Sequence, residues 1–466
     1  MKMMTALALV LASAPAAYAA GMHENESFIQ QVGSTNHANV SQTKGNNNQA
    51  TAQTGQANSV QSTQASGSRF TDNSANVQVG NVNTAQITQN KGNNNQSTFQ
   101  VGRANGVTTT QTGKLVNGEN NSGNIQVGEF NSANTTQKNS APNSQATGVD
   151  YSNNSFSAQF GSSMTTVKQT GGQNNQGTYQ VGTGNLAFTT QSDKAITDAK
   201  HSPVGGANTS FTGQFGDSNQ VNATQTTADA SAHEGGGFAN GYGNTSAAFQ
   251  YGTGNKAVID QKASAKGTEF SANPGTFNAS GTMQAGYENT LSVTQGGNTA
   301  GNFGATPADQ AANDTNASYV GQVGAKNDAV VNQTNGANTQ ATFQNGYDNT
   351  ATIGQKTKAL GTGDGANNAM TAQFGVKNVA TVTQSMAVPL ALGENNSFVT
   401  QIGGSNVVNA TQTTGQQAMA GNNNQYAMQV GYANSAKVTQ STGSNVTNTS
   451  FTAQFGAHNQ ATVVQK

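Results

Sequence analysis

The residues of this sequence with the types and spacing to do chemistry are side-chain amides, and the chemistry is hydrogen bonding. A primary amide offers two N–H donors and an acceptor oxygen, so identical amides can bond to one another in a line. In residues 25–42, NESFIQQVGSTNHANVSQ, Asn25, Gln31, Gly33, Asn36 and Gln42 stand first, seventh, ninth, twelfth and eighteenth. The spacing returns as Asn47, Gln53, Gly55, Asn58 and Gln64, then as Asn94, Gln100, Gly102, Asn105 and Gln111, and late in the chain as Asn448, Gln454, Gly456, Asn459 and Gln465. Gly80 and Gly128 hold the ninth position in two further copies. Sixteen copies are present, with the seventh-position Gln at Gln31, Gln53, Gln78, Gln100, Gln126, Gln159, Gln180, Gln214, Gln250, Gln284, Gln322, Gln344, Gln373, Gln401, Gln429 and Gln454. One copy opens with Asp72 in place of Asn; in another, around Gln159, Met164 stands where Asn is expected and Gln169 comes one residue early. Repetition of this kind takes precedence over any other reading of a sequence.

Catalytic chemistry has no comparable footing, and the chain is expected not to be an enzyme. His23, His37, His201, His233 and His458 are scattered singly, and His233-Glu234 lacks the second His of a zinc-protease motif. No nucleophile elbow and no phosphate-loop lysine occur. Gly363-Asp364-Gly365 has the look of a calcium-binding turn, but no neighbouring copy repeats the aspartate, so a plain surface turn is expected. No cofactor or metal is implied.

Composition narrows the class. Residues 1–19 read as a secretory signal peptide, with Lys2, an apolar run at 6–12 and the small-x-small pattern Ala17-Tyr18-Ala19, so cleavage is expected after Ala19. A short lead, 20–24, separates it from the first repeat. The apolar run is too short to span a bilayer, so an exported chain that is not membrane-embedded is expected. Cysteine is absent, so no disulfide framework supports it. Only 8% of residues are charged and the net charge is -1, which argues against nucleic acid or an acidic membrane surface as partner. Leucine is too scarce for a helical core. A disordered polar linker needs no register, and this chain keeps one.

The elements that must position the amides are strands. In a strand alternate side chains share a face. Positions one, three, five and seven therefore share one face of a first arm, and twelve, fourteen, sixteen and eighteen one face of a second. Fifteen regular repeats hold 120 such positions, and Asp72 is the only charged residue among them; chance placement would put about ten charges there, and a buried unpaired charge is costly. This face is expected inside, its amides stacked in continuous ladders. Gly at nine and Asn at twelve bracket a turn, both suited to positive φ. The shortest linkers, 43–46, 90–93 and 334–337, have four residues, enough at about 3.4 Å per residue to cross between sheets about 10 Å apart. The predicted fold is all-β: a two-sided β-solenoid of strand-turn-strand rungs in parallel cross-β stacking, continuous over 25–465, with longer surface-loop inserts between about 138 and 315.

The pattern Asn-x5-Gln-x-Gly-x2-Asn-x5-Gln resembles the curlin repeat of curli fibre subunits, secreted bacterial proteins that form functional amyloid. The resemblance covers nearly all of 25–465. It implies an extracellular, self-assembling fibre of biofilm matrix that adheres to surfaces, with this chain as its own partner, and with a nucleator subunit and an outer-membrane secretion channel as further partners. Two features depart from the family: subunits usually carry few repeats, and usually a Gly-rich lead longer than 20–24. With the first ladder Asn and the last ladder Gln close to the ends of the sequence, both ends of the stack are expected to be open. Phe28, Phe99, Phe156, Phe211, Phe249, Phe343, Phe398 and Phe451 fall on the opposite strand face. Ordinary β-propensity accounts for them; the alternative is a stripe for lateral bundling or adhesion. The rival class is a monomeric secreted β-solenoid, an adhesin or an ice or sugar binder. Ice binding requires an outward Thr array, whereas Thr is read as mainly inward, at Thr51, Thr98, Thr178 and Thr212.

Overall fold

A computed structural model describes residues 25–67, 70–113, 119–139, 152–193, 207–231, 243–266, 277–296, 299–300, 315–335, 337–357, 366–386, 393–414, 421–442 and 446–466. The signal segment with Ala19, the lead 20–24 and the turn 363–365 lie outside the described residues. The described residues fall into two compact units. The N-terminal unit lies within Met1–Ala141, Asp150–Gly172 and Gln176–Gly184, the C-terminal unit within Gln173–Asn175 and Asn185–Lys466.

Both units are all-β and built the same way. A first-arm strand such as Asn46–Gln56 is followed by a tight turn and a second-arm strand, Ser59–Ala65. Each first arm pairs in parallel with the first arm of the next repeat, residue on equivalent residue: Asn47 opposite Asp72, Gln53 opposite Gln78, Gly55 opposite Gly80. Second arms pair likewise, Ser59 opposite Thr84 and Gln64 opposite Gln89. The C-terminal unit repeats the scheme, with Gln373 opposite Gln401 and Gln384 opposite Gln412. Each unit is thus a two-sided β-solenoid with one repeat per rung. A slip of one residue would turn every inward amide outward, which is why the register holds across linkers of very different length.

Burial follows the two-residue period. In Asn46–Gln56 the buried residues are Asn47, Gln49, Thr51 and Gln53, and in Ser59–Ala65 they are Val60, Ser62 and Gln64. The interiors of the units differ in chemistry. In the N-terminal unit the apolar cluster is small, Val60, Ala85 and Ile87, and apart from Val107, Ala133, Ala158 and Val167 polar groups fill the rest. Ser and Gln alternate at position three over the first five repeats, so that Ser27 donates to Gln49 and Ser74 to Gln96, the long side chain filling the space left by the short one. The C-terminal unit carries a continuous apolar core including Val221, Ile259, Leu291, Val331, Ile353 and Val408. At about 1.5–3 kcal/mol per buried branched side chain, burial of apolar surface contributes more there than in the N-terminal unit.

The turns depart from expectation in one respect. Asn at position twelve is not the residue with positive φ; the residue before it is, whatever its type, as at Thr35, Val82, Phe130, Lys326 and His458, with φ from 54° to 59°. Rung-to-rung backbone bonds continue round the turn and hold it there: Val82 N–H donates to the Gln56 carbonyl and Ala104 N–H to that of Asn81. A non-glycine residue costs about 1–2 kcal/mol in this region, offset by the bond its N–H makes. The irregular repeat around Gln159 also differs from its reading. Ser163, not Met164, takes the place of the twelfth-position Asn, its N–H donating to Asn131 Oδ1. Met164 pairs with Ser132 on the outward face, and Gln169 returns to register opposite Gln137. The turn there is one residue shorter.

Candidate functional site: the amide ladders

Four side-chain ladders run through each unit. The seventh-position amides bond in series, Gln31 Nε2 to Gln53 Oε1 at 2.6 Å, Gln53 to Gln78 at 2.8 Å and Gln78 to Gln100 at 2.7 Å. The eighteenth-position amides do the same, Gln42 to Gln64 and Gln64 to Gln89 at 2.8 Å, Gln89 to Gln111 at 2.9 Å. At the far end Gln429 donates to Gln454, and Gln440 to Gln465, at 2.7 Å. The second N–H of each buried ladder Gln reaches a backbone carbonyl of the facing arm, as from Gln78 to Ser59 and from Gln89 to Asn73. The Gln ladders therefore join the two sheets as well as successive rungs, and leave no buried N–H of the ladder glutamines idle.

The Asn ladders run with the opposite polarity. Asn47 donates to Asn25 Oδ1, Asn120 to Asn94 and Asn448 to Asn423. At position twelve Asn58 donates to Asn36, Asn105 to Asn83 and Asn459 to Asn434. Each twelfth-position Asn also caps the turn, Asn58 reaching the carbonyls of Thr54 and Gly80. The ninth-position glycines stack backbone on backbone. A Cβ on Gly33, Gly55, Gly80 or Gly102 would lie 1.9 to 2.0 Å from the carbonyl oxygen of the next glycine, at φ of +120° to +127°. At Gly128 the corresponding distance is 2.5 Å, and Gly456 in the last rung has no stacked carbonyl above it.

Two further polar series were not anticipated. Half-buried Asn residues at position two form a fifth ladder, Asn48 to Asn73 to Asn95 to Asn121; paired Asn at the head of a repeat is its sequence signal. Thr357 and Thr414, two residues past the second-arm Gln, donate to Asn338 and Asn395 of their own rungs. Thr also corrects an expectation: it is not mainly inward. Exposed Thr84, Thr108, Thr136, Thr190, Thr294, Thr383 and Thr411 lie on the outward face of the second arms, where a β-branched, hydrogen-bonding side chain suits a solvated sheet.

Asp72 is the defect in the first-position ladder. It is fully buried and accepts from Asn94 Nδ2 at 2.8 Å. Its second oxygen stands where an Asn would present its NH2 to Asn47, and neither that oxygen nor Asn47 Oδ1 has a donor. Burial, opposed by the hydrogen bonds from Asn94, lifts the carboxyl from 3.8 to about 6. The folded state binds this proton more tightly than the unfolded one, so the stability it contributes is full below about 3.8 and is lost as pH rises through about 6. At pH 7 that gap corresponds to about 3 kcal/mol. Asp72→Asn is expected to stabilise the N-terminal unit by about this amount at pH 7 and by little at pH 4, where the protonated carboxyl can itself donate to Asn47. Urea unfolding at both pH values measures it; equal stabilities at pH 7 would show that the defect carries no cost.

Among the described residues the first rung leaves its inward face open: Ile29 is 45% exposed, and Asn25, Ser27 and Gln31 are exposed with it. In the last rung Asn459, Ala461, Val463 and Gln465 are half-buried. Among the described residues no three metal-ligating side chains gather, and no helix is long and apolar enough to cross a membrane. No protein-family model matches the chain, and no curated protein matches it.

Proposed function

We propose that this chain is a secreted structural subunit of the curlin-repeat type, which adds copy to copy into extracellular amyloid-type fibres serving matrix cohesion and adhesion. The observation that carries this reading is the polarity of the ladders at the end rungs. Among the described residues Gln31 and Gln42 present acceptor oxygens that no neighbouring Gln fills, while Gln454 and Gln465 spend one N–H on a backbone carbonyl and keep the other. At position one Asn25 likewise offers a donor and Asn448 an acceptor. The last rung of one copy therefore matches the first rung of the next, as each internal rung matches its neighbour, and open strand edges template further strands. A nucleator and an export channel belong to this reading as partners supplied by other chains.

The test is assembly of the full mature chain diluted from denaturant, with and without preformed fibre fragments. Seeds should abolish a lag phase, and the product should diffract at about 4.8 Å along the fibre. A stable monomer indifferent to seeds would overturn the proposal. One observation favours a second reading, the monomeric surface binder: the outward Thr of the second arms forms a column in successive rungs at Thr63, Thr88, Thr110 and Thr136. A folded monomer that persists and binds ice or glycan would support it.

A further inference from the structure

The outward face of the first arms in the C-terminal unit consists of the fourth, sixth and eighth positions of nine repeats, from that of Asn208 to that of Asn448. No charged residue occupies any of these positions. Large apolar groups stand exposed along it: Tyr319 at 55%, Met370 at 50%, Ile402 at 43% and Tyr426 at 41%. The outward face of the second arms of the same repeats differs, carrying no aromatic residue and placing Lys256, Asp260, Asp328 and Lys437 among Thr, Ser, Asn and Val. Ordinary β-propensity would favour aromatic residues on both outward faces alike, so the asymmetry calls for another cause.

The rings pave this face. Small residues sit beside large ones, and three rings lean over a glycine of the preceding rung: a Cβ on Gly213 would lie 2.9 Å from Phe249, one on Gly281 3.2 Å from Tyr319, and one on Gly321 3.1 Å from Phe343. Phe398 and Tyr426 stack at 5.2 Å with planes 4° apart. The result is a level apolar surface, the form that two sheets need to pack about 10 Å apart.

We propose that this face is an interface on which a second copy of the chain packs by the same face, pairing two solenoids side by side. Nine rungs at about 4.8 Å and five residues at about 3.3 Å span about 700 Å² on each copy. Two copies then bury about 1,400 Å², within the range of specific interfaces. A contiguous apolar patch of this size exceeds what monomeric proteins usually expose. The absence of charge gives an ionic partner nothing to hold, whereas the same face on another copy matches it in polarity and repeat.

The pairing extends the fibre reading but is tested separately from it. Tyr319→Lys with Met370→Lys places two charges on the face, in rungs that are not adjacent; Tyr319→Gln with Met370→Gln removes apolar area without charge. Thr294→Lys with Thr383→Lys puts the same charges on the opposite face. Mass per length of filaments, measured by dark-field electron microscopy, should be about twofold lower for the first two variants than for wild type and the third, with seeded elongation rates within about twofold of each other. Equal mass per length in all four would overturn the pairing while leaving fibre assembly standing. Should wild type form no filaments, the fibre reading fails, and sedimentation of the soluble chain decides the pairing: a dimer that the first two variants dissociate supports it, and a monomer refutes it.

Discussion

Gly102→Ala should destabilise the N-terminal unit by about 4 kcal/mol or more, an exceptional size that here has a definite steric cause. The added Cβ would lie 1.9 Å from the Gly128 carbonyl oxygen, and the backbone there holds φ at +124°. Either the residue changes its backbone conformation, breaking the turn, or two rungs separate, breaking ladders on both sides. In a stacked repeat the damage reaches the nearest rungs first. Amide hydrogen exchange should therefore show protection lost around residues 94–137, and chemical unfolding should show the stability change. Gly354→Ala is the matched control, since a Cβ there meets nothing within 4 Å. It should alter stability by no more than about 0.5 kcal/mol. Similar behaviour of the two variants would refute the stacked-glycine account.

Replacing Gln31, Gln53 and Gln78 together by Glu should slow assembly at pH 7 by well over tenfold. Gln53 and Gln78 are buried, and each uses one N–H on the next amide and the other on a backbone carbonyl. A carboxylate in either place turns two donors into acceptors facing acceptors. It also sets like charges about 4.8 Å apart, worth about 3.5 kcal/mol for each adjacent pair at an effective dielectric of 20, where 1.4 kcal/mol is already tenfold. The sign with pH follows. Burial and mutual repulsion raise these carboxyls, so the deficit should shrink as pH falls and protonation restores a donor. Seeded assembly followed from pH 7 to pH 3 measures it, and unchanged kinetics at pH 7 would count decisively against the buried-amide ladder.

How far the fold was legible depends on what each residue needed to specify. The inward set was readable because a strand has a period of two and charge is excluded from one phase of it; Asn47, Thr51 and Gln53 follow from that alone. Gly102 was readable as a turn residue, but its close approach to Gly128 depends on rungs stacking without offset. The positive φ before each Asn was hidden, because Val82, Phe130 and Lys326 share no chemistry; only the rung-to-rung backbone bonds select that conformation. Met164 was misplaced because a spacing count cannot tell a shortened turn from a substituted position. The outward Thr was missed because its inward counterparts at Thr51 and Thr98 drew the count, although both phases of a strand accept Thr.

By itself the sequence determined that the structure would be β, that each repeat would be one rung, and which phase of each arm would face inward, since these follow from covalent periodicity and the cost of burying charge. Tertiary structure alone decided the direction in which each ladder donates, the isolation of Asp72 beside an acceptor without a donor, and the paving of one outward face by rings lying over glycines. A side-chain amide reads the same in sequence whichever way it points. Its direction is set by the offset between neighbouring rungs and by the carbonyl that takes its second N–H, and neither exists until the rungs have stacked.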